Sequence, residues 1–196
     1  MKQKNGKNIS KKFAQSVLMA RYKNNNIINS IINNSLVDCI DMIKKSSNIK
    51  EVLNNELFIL QNFDINHYNK NEEKINNRVH CCNTAIEEYD LFTTDKKTYL
   101  NKVYQRNMFS PKEIDINKDS IFEQSVKKLI INLGKEKQAN CTSPQLIKLY
   151  EVRMDKLKEI CKEFTKERKA FMSQHINQEN TNKQTKQKDN SKGFER

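Results

Sequence analysis

From Phe13 the apolar positions recur every three or four residues, through Val17, Ala20, Ile28, Ile31, Ile32 and Leu36 to Cys39 and Ile43, with asparagine on the other faces. That spacing predicts helix. Asn24-Asn25-Asn26, poor helix formers, divide the stretch in two, and Ser46-Ser47-Asn48 ends it. Asn48 then suits an N-cap, with Glu51 placed to complete a capping box, and Ile49, Leu53, Leu57 and Leu60 form the stripe of the next helix. Asp64–Asn71 reads as a polar loop. Ile75, Val79, Cys82, Ile86 and Tyr89 follow as a heptad seam of about two repeats. The pattern restarts near Thr94 and runs through Leu100, Val103 and Tyr104 to Asn107.

Ser110-Pro111-Lys112-Glu113 predicts one helical turn, because proline and a capping pair favour a start there, while Ile114-Asp115-Ile116-Asn117 alternates like a short strand. A second capping box, Ser120 with Glu123, opens a helix with the stripe Phe122, Val126, Leu129 and Leu133, and Gly134 is its expected stop. Ser143-Pro144 opens the longest helix. Its seam is Ile147, Tyr150, Met154, Leu157, Cys161, Phe164 and Phe171, interrupted where Arg168 takes a seam position.

The resulting division is a flexible basic start at 1–8, a helical bundle at 9–109, a connector with a short helix at 110–142, a long amphipathic helix at 143–172 and a disordered basic tail at 173–196. Only 3 glycines and 2 prolines occur in 196 residues, too few to punctuate a many-stranded sheet, so the expected fold is all-α: a small helical bundle with a long C-terminal coiled-coil-like helix. No apolar run reaches the roughly 18 residues of a membrane span, nor does the N-terminus carry the apolar core of a signal peptide.

Lys and Arg number 36 against 24 Asp and Glu, a net charge of +12, and seven of the basic residues precede the first acid, Asp38. The 27 asparagines, with abundant lysine and isoleucine, also suit the codon bias of an A+T-rich genome, which weakens charge as a functional signal. Five cysteines, odd in number and unevenly spread, read as reduced thiols of an intracellular protein. The cytoplasm or nucleus is the expected location. The acid-poor, basic start makes a mitochondrion or other organelle the alternative.

Three glycines cannot build a phosphate-cradling loop or dinucleotide fingerprint, and no nucleophile elbow or metalloprotease motif is present. The expectation is a protein without catalytic activity or cofactor. His80-Cys81-Cys82 invites a metal reading, but consecutive helical residues point about 100° apart, so no metal site is expected. Glu87, Glu88 and Asp90 read as a solvated helix face. Lys96, Lys97, Lys102 and Arg106, interleaved with Tyr99, Tyr104 and Phe109, form a basic and aromatic stretch suited to stacking bases and holding phosphates.

In the long helix, acids and lysines flank the apolar seam, an arrangement that suits packing within the chain and selection of a partner helix equally. The sequence therefore points to a non-catalytic helical subunit or adaptor of a larger assembly, docking a protein partner through the Ile147–Phe171 seam. The alternative is a nucleic-acid-associated accessory protein using the basic N-terminus and the 96–106 stretch.

Overall fold

Side-chain caps fix where four of the helices begin. Asn48 Oδ1 accepts from the Glu51 N–H at 2.9 Å, and the Glu51 carboxylate accepts from the Ser47 N–H at 2.9 Å. Asp95 Oδ1 accepts from the Thr98 N–H at 3.0 Å. Ser120 and Glu123 cap each other's backbone N–H groups, at 3.3 and 2.7 Å. Ser143 Oγ accepts from the Leu146 N–H at 3.2 Å. Each satisfies N–H groups that the first turn of a helix leaves without a partner.

The computed structural model describes residues 25–64, 72–106, 115–140 and 143–191, with side chains described between Ser35 and Ile176. Among them there are six α-helices and no strand: α1 Asn25–Lys44, α2 Ile49–Ile59, α3 Glu72–Thr94, α4 Lys96–Arg106, α5 Ile121–Asn140 and α6 Pro144–Ser191, with a π-helical turn at Leu60–Asp64 continuing α2. No described helix is long and apolar enough to cross a membrane. The fold is all-α with a long C-terminal helix.

α6 lies against α1, α2 and α5, and α5 also packs along α3. One cluster of buried side chains runs from Leu36 on α1 to Met172 on α6. The helix expected in the connector belongs to it, since Phe122, Val126, Leu129 and Leu133 are all fully buried. At its aromatic centre Phe164 stacks on Phe122 at 4.1 Å and meets Phe92 edge-on at 5.2 Å. Phe92 also meets Tyr99 and Phe171, so this cluster joins α3, α4, α5 and α6.

Several elements depart from the sequence pattern. Gly134 does not stop α5, which continues to Asn140. A β-carbon placed there would meet only Met154 Sδ, at 3.9 Å, ordinary van der Waals contact. Ile114–Asn117 forms no strand in its described part: Asp115 closes a turn by accepting from the Asn117 and Lys118 N–H groups. On α3 the buried line is Ile75, Arg78, Cys82, Ala85, Glu88 and Phe92, while Val79, Ile86 and Tyr89 of the heptad seam are only half-buried. Packing α2 and α5 on two sides of α3 turns its buried face away from the heptad line. Residues 173–191, expected to be disordered, continue α6. They contain no glycine or proline, and extending a formed helix adds one hydrogen bond for each residue fixed. The expected helix ahead of residue 24, the 65–71 part of the polar loop and the Ser110–Glu113 turn lie outside the described residues.

Glycine inside a helix is less favourable than alanine by about 1 kcal/mol, and the space at 134 is open to a methyl group. Gly134→Ala should therefore stabilise the chain by up to about 1 kcal/mol in urea unfolding. A destabilised variant would show that α5 does not run through this position.

Candidate functional site

Among the described residues, Arg153 is the largest side chain that the fold buries completely. From α6 its guanidinium donates to both carboxylate oxygens of Glu56 on α2, Nε at 2.9 Å and Nη2 at 2.8 Å. It donates equally to Asp64, Nη1 at 3.2 Å and Nη2 at 2.9 Å. Arg78 of α3 stands 3.8 Å from Asp64, so two positive and two negative groups share one enclosed site. Burial pushes Arg153 toward its neutral form, but Asp64 and Glu56 outweigh it and hold the proton more firmly than usual. Tyr150 covers the guanidinium, its ring centre 5.4 Å away.

The π turn makes this double fork geometrically accessible. Along a regular α-helix Asp64 would lie about 80° around the axis from Glu56. The wider turn from Leu60 advances each residue by less, roughly 80° in place of 100°, and brings the two carboxylates onto one face. Asp64, expected in a solvated loop, is instead buried.

A second group of charges forms where α3, α4, α5 and α6 meet. Arg168 pairs with Glu123 at 3.0 Å and donates to the carbonyls of Ile116 and Lys118. Glu88, expected on a solvated face, is buried, with Arg106 3.5 Å away. Burial raises the Glu88 carboxyl above its ordinary value, and Arg106 opposes that rise. The two acids expected beside it differ: Glu87 is exposed, and Asp90 pairs with Lys50 at 2.7 Å.

The partner-binding seam expected on α6 is used inside the chain. Tyr150, Leu157, Cys161 and Phe164 are buried, Met154 and Phe171 are half-buried against the same core, and Ile147 is half-buried. This corrects the docking route read from the sequence: that stripe already packs against α1, α2 and α5, so it is not free for another helix. What α6 turns outward is charge. Asp155, Glu159, Glu163 and Glu167 form an exposed acidic row at every fourth residue. Lys158, Lys162 and Lys166 form an exposed basic row beside it, which ends at Ala170.

The candidate nucleic-acid residues are not brought together. Lys96 Nζ lies over the rings of Phe92 and Phe171, at 5.5 and 5.0 Å, and Arg106 is engaged with Glu88. Lys97 and Lys102 are exposed but sit five residues apart, about 140° around α4. Tyr99 is buried in the aromatic cluster and cannot stack a base from there; Phe109 lies outside the described residues.

His80 is exposed, Cys81 half-buried and Cys82 buried with its thiol donating to the Leu53 carbonyl at 3.2 Å. Among the described residues no three His, Cys, Asp or Glu side chains are arranged to hold a metal. Burial raises every described thiol, Cys39 to about 12, which lowers the thiolate fraction that a nucleophile or metal ligand requires. Both charge clusters hold helices together; neither presents a reactive group to solvent. No family model, curated protein or solved structure matches this chain.

Removing one partner of a buried ion pair leaves an uncompensated charge and destabilises by about 3–5 kcal/mol. Arg153→Met should fall in that range by urea unfolding. Adding Glu56→Gln, which leaves the Asp64–Arg78 pair balanced, should recover part of the loss. No recovery would mean that Arg153 acts by packing alone.

Proposed function

We propose that this protein is a non-catalytic helical subunit or adaptor of a larger protein assembly, and that the outward face of α6 selects its partner. The observation that supports this reading is the segregation of charge on that face. Randomly mixed surface charge confers solubility and little else. Two parallel rows of opposite sign favour one orientation and one register of a facing helix that carries complementary rows. Between Asp155 and Glu167 the rows extend along about 18 Å of helix at 1.5 Å per residue. Past Met172 the helix continues as far as Ser191, lengthening the element that a partner can meet.

Exposed charges contribute more to specificity and association rate than to affinity, so the complex is expected to form quickly and to weaken as salt rises. The seven basic residues ahead of Asp38 support the second reading, an accessory protein on nucleic acid. The 96–106 stretch no longer does, since Lys96, Tyr99 and Arg106 face other parts of the same chain.

The test is purification of the tagged full-length chain with nuclease, followed by identification and quantification of co-purifying proteins. Reversing the lysine row with Lys158→Glu, Lys162→Glu and Lys166→Glu should release stoichiometric partners at least tenfold while the urea midpoint moves little. Partners that survive the reversal remove α6 as the selecting face; partners that vanish with nuclease favour the nucleic-acid reading. Leu157→Asp is the control for the buried side of the same helix: it should unfold the chain, because it places a carboxylate in the core.

A further inference from the structure

The charged face of α6 stands nearly opposite its buried one. At 100° per residue, Leu149, Arg153, Leu157, Ile160 and Phe164 gather on the core side, and Asp155, Glu159, Lys162 and Lys166 fall on the other. The bundle therefore leaves this side of the helix open. At the start of the two rows the charges are partly used within α6, Lys158 meeting Asp155 at 3.1 Å and Lys156 meeting Glu159 at 2.9 Å. Further along, Lys162, Glu163, Lys166 and Glu167 form no ion pair with any described residue. The face is also nearly neutral, four acids against three lysines, in a chain that carries +12. Two copies approach each other here against less repulsion than over the chain as a whole.

Symmetry decides how two such faces can meet. In a symmetric pair the two-fold axis runs either across the two helices or along them. Across, it makes them antiparallel and lays each row on its own kind, acid on acid and lysine on lysine. Along, it makes them parallel and exchanges left for right, so the acidic row of each copy meets the lysine row of the other. Rows at every fourth residue incline to the helix axis by about 26°, and two such sets align when the helices cross near −50°, the commonest packing class. Lys162 of one copy then faces Glu159 and Glu163 of the other.

We propose that the helix received by the outward face of α6 is α6 of a second copy of this chain, crossing it in the parallel sense with acidic and basic rows exchanged. This rests on the reading of that face as the selecting surface and adds the identity of the partner. The row of Asp155, Glu159, Glu163 and Glu167 and the row of Lys158, Lys162 and Lys166 are self-complementary in that arrangement and self-repelling in the antiparallel one. The contact is charge without an apolar centre, so the pair is weak, populated at about 100 µM chain.

The experiment is sedimentation velocity of the full-length chain at about 100 µM, one copy fluorescently tagged wherever two are mixed. The unsubstituted chain should show a monomer–dimer equilibrium. Lys158→Glu, Lys162→Glu and Lys166→Glu together should weaken self-association at least tenfold, as should Glu159→Lys, Glu163→Lys and Glu167→Lys together, because both rows of one copy then carry one sign. Mixed in equal amounts, the two variants should associate again, which chains that had failed to fold would not do. Both sets in one chain exchange the rows. That variant should pair with itself and not with the unsubstituted chain, and the opposite preference would mean antiparallel helices and overturn the proposal. An unsubstituted chain that stays monomeric, or an association that ignores the substitutions, overturns it as well. Co-purification then separates this failure from that of the broader reading: a different protein released by reversing the lysine row keeps α6 as the selecting face, and no protein so released removes both.

Discussion

Burying a guanidinium constrains everything around it. Arg153 has five N–H donors in a rigid plane, and enclosing it demands that acceptors be brought to fixed positions from other parts of the chain. Glu56 arrives from α2 and Asp64 from the π turn, so the crossing of α2 over α6 and the irregular end of α2 are parts of one solution. Arg78 against Asp64 brings α3 into the same arrangement. A one-residue slip of α6 would swing the guanidinium about 100° away from both carboxylates, which an apolar contact of the same size would tolerate better. The network contributes specificity of register more than net stability, since desolvating four charges offsets much of their attraction.

The second cluster repeats the device 15 residues later on α6, where Arg168 holds the N-terminus of α5 through Glu123 and the preceding turn through Ile116 and Lys118. The two arginines lie on nearly the same side of the helix, about 60° apart. Between them run Leu157, Ile160, Cys161 and Phe164, the apolar part of the same buried face. α6 is thus an axis pinned at two points by charge and filled between them by packing. The difference between the pins is Glu88, which meets Arg106 in the second cluster at 3.5 Å, a longer contact than Glu56 and Asp64 make with Arg153 in the first.

The arginines were themselves a signal. The chain has only six, at 21, 78, 106, 153, 168 and 196, in a background of lysine. All four within the described residues pair with an acid, and three of them are buried. Lysine suits a solvated surface, whereas a planar fork is needed to satisfy a buried carboxylate from two sides. In a chain whose composition drifts toward lysine, the rare arginine marks where that fork is required. Apolar periodicity makes Arg168 only an interruption of the seam and gives Arg153 no place in it.

What the sequence determined by itself was local. Capping pairs such as Asn48 with Glu51 and Ser120 with Glu123 act within one turn, so the helix starts could be read directly, and the scarcity of glycine and proline fixed an all-α fold. Which side of each helix is buried was decided only in three dimensions. The seam from Ile147 to Phe171 looks the same whether a partner or the rest of the chain covers it, because periodicity reports that a face is apolar and not what it meets. Asp64 as a loop residue and Glu88 as a solvated one failed for a related reason. Each is set by neighbours distant in sequence: Arg153 requiring a second acid, and α4 and α5 closing over α3.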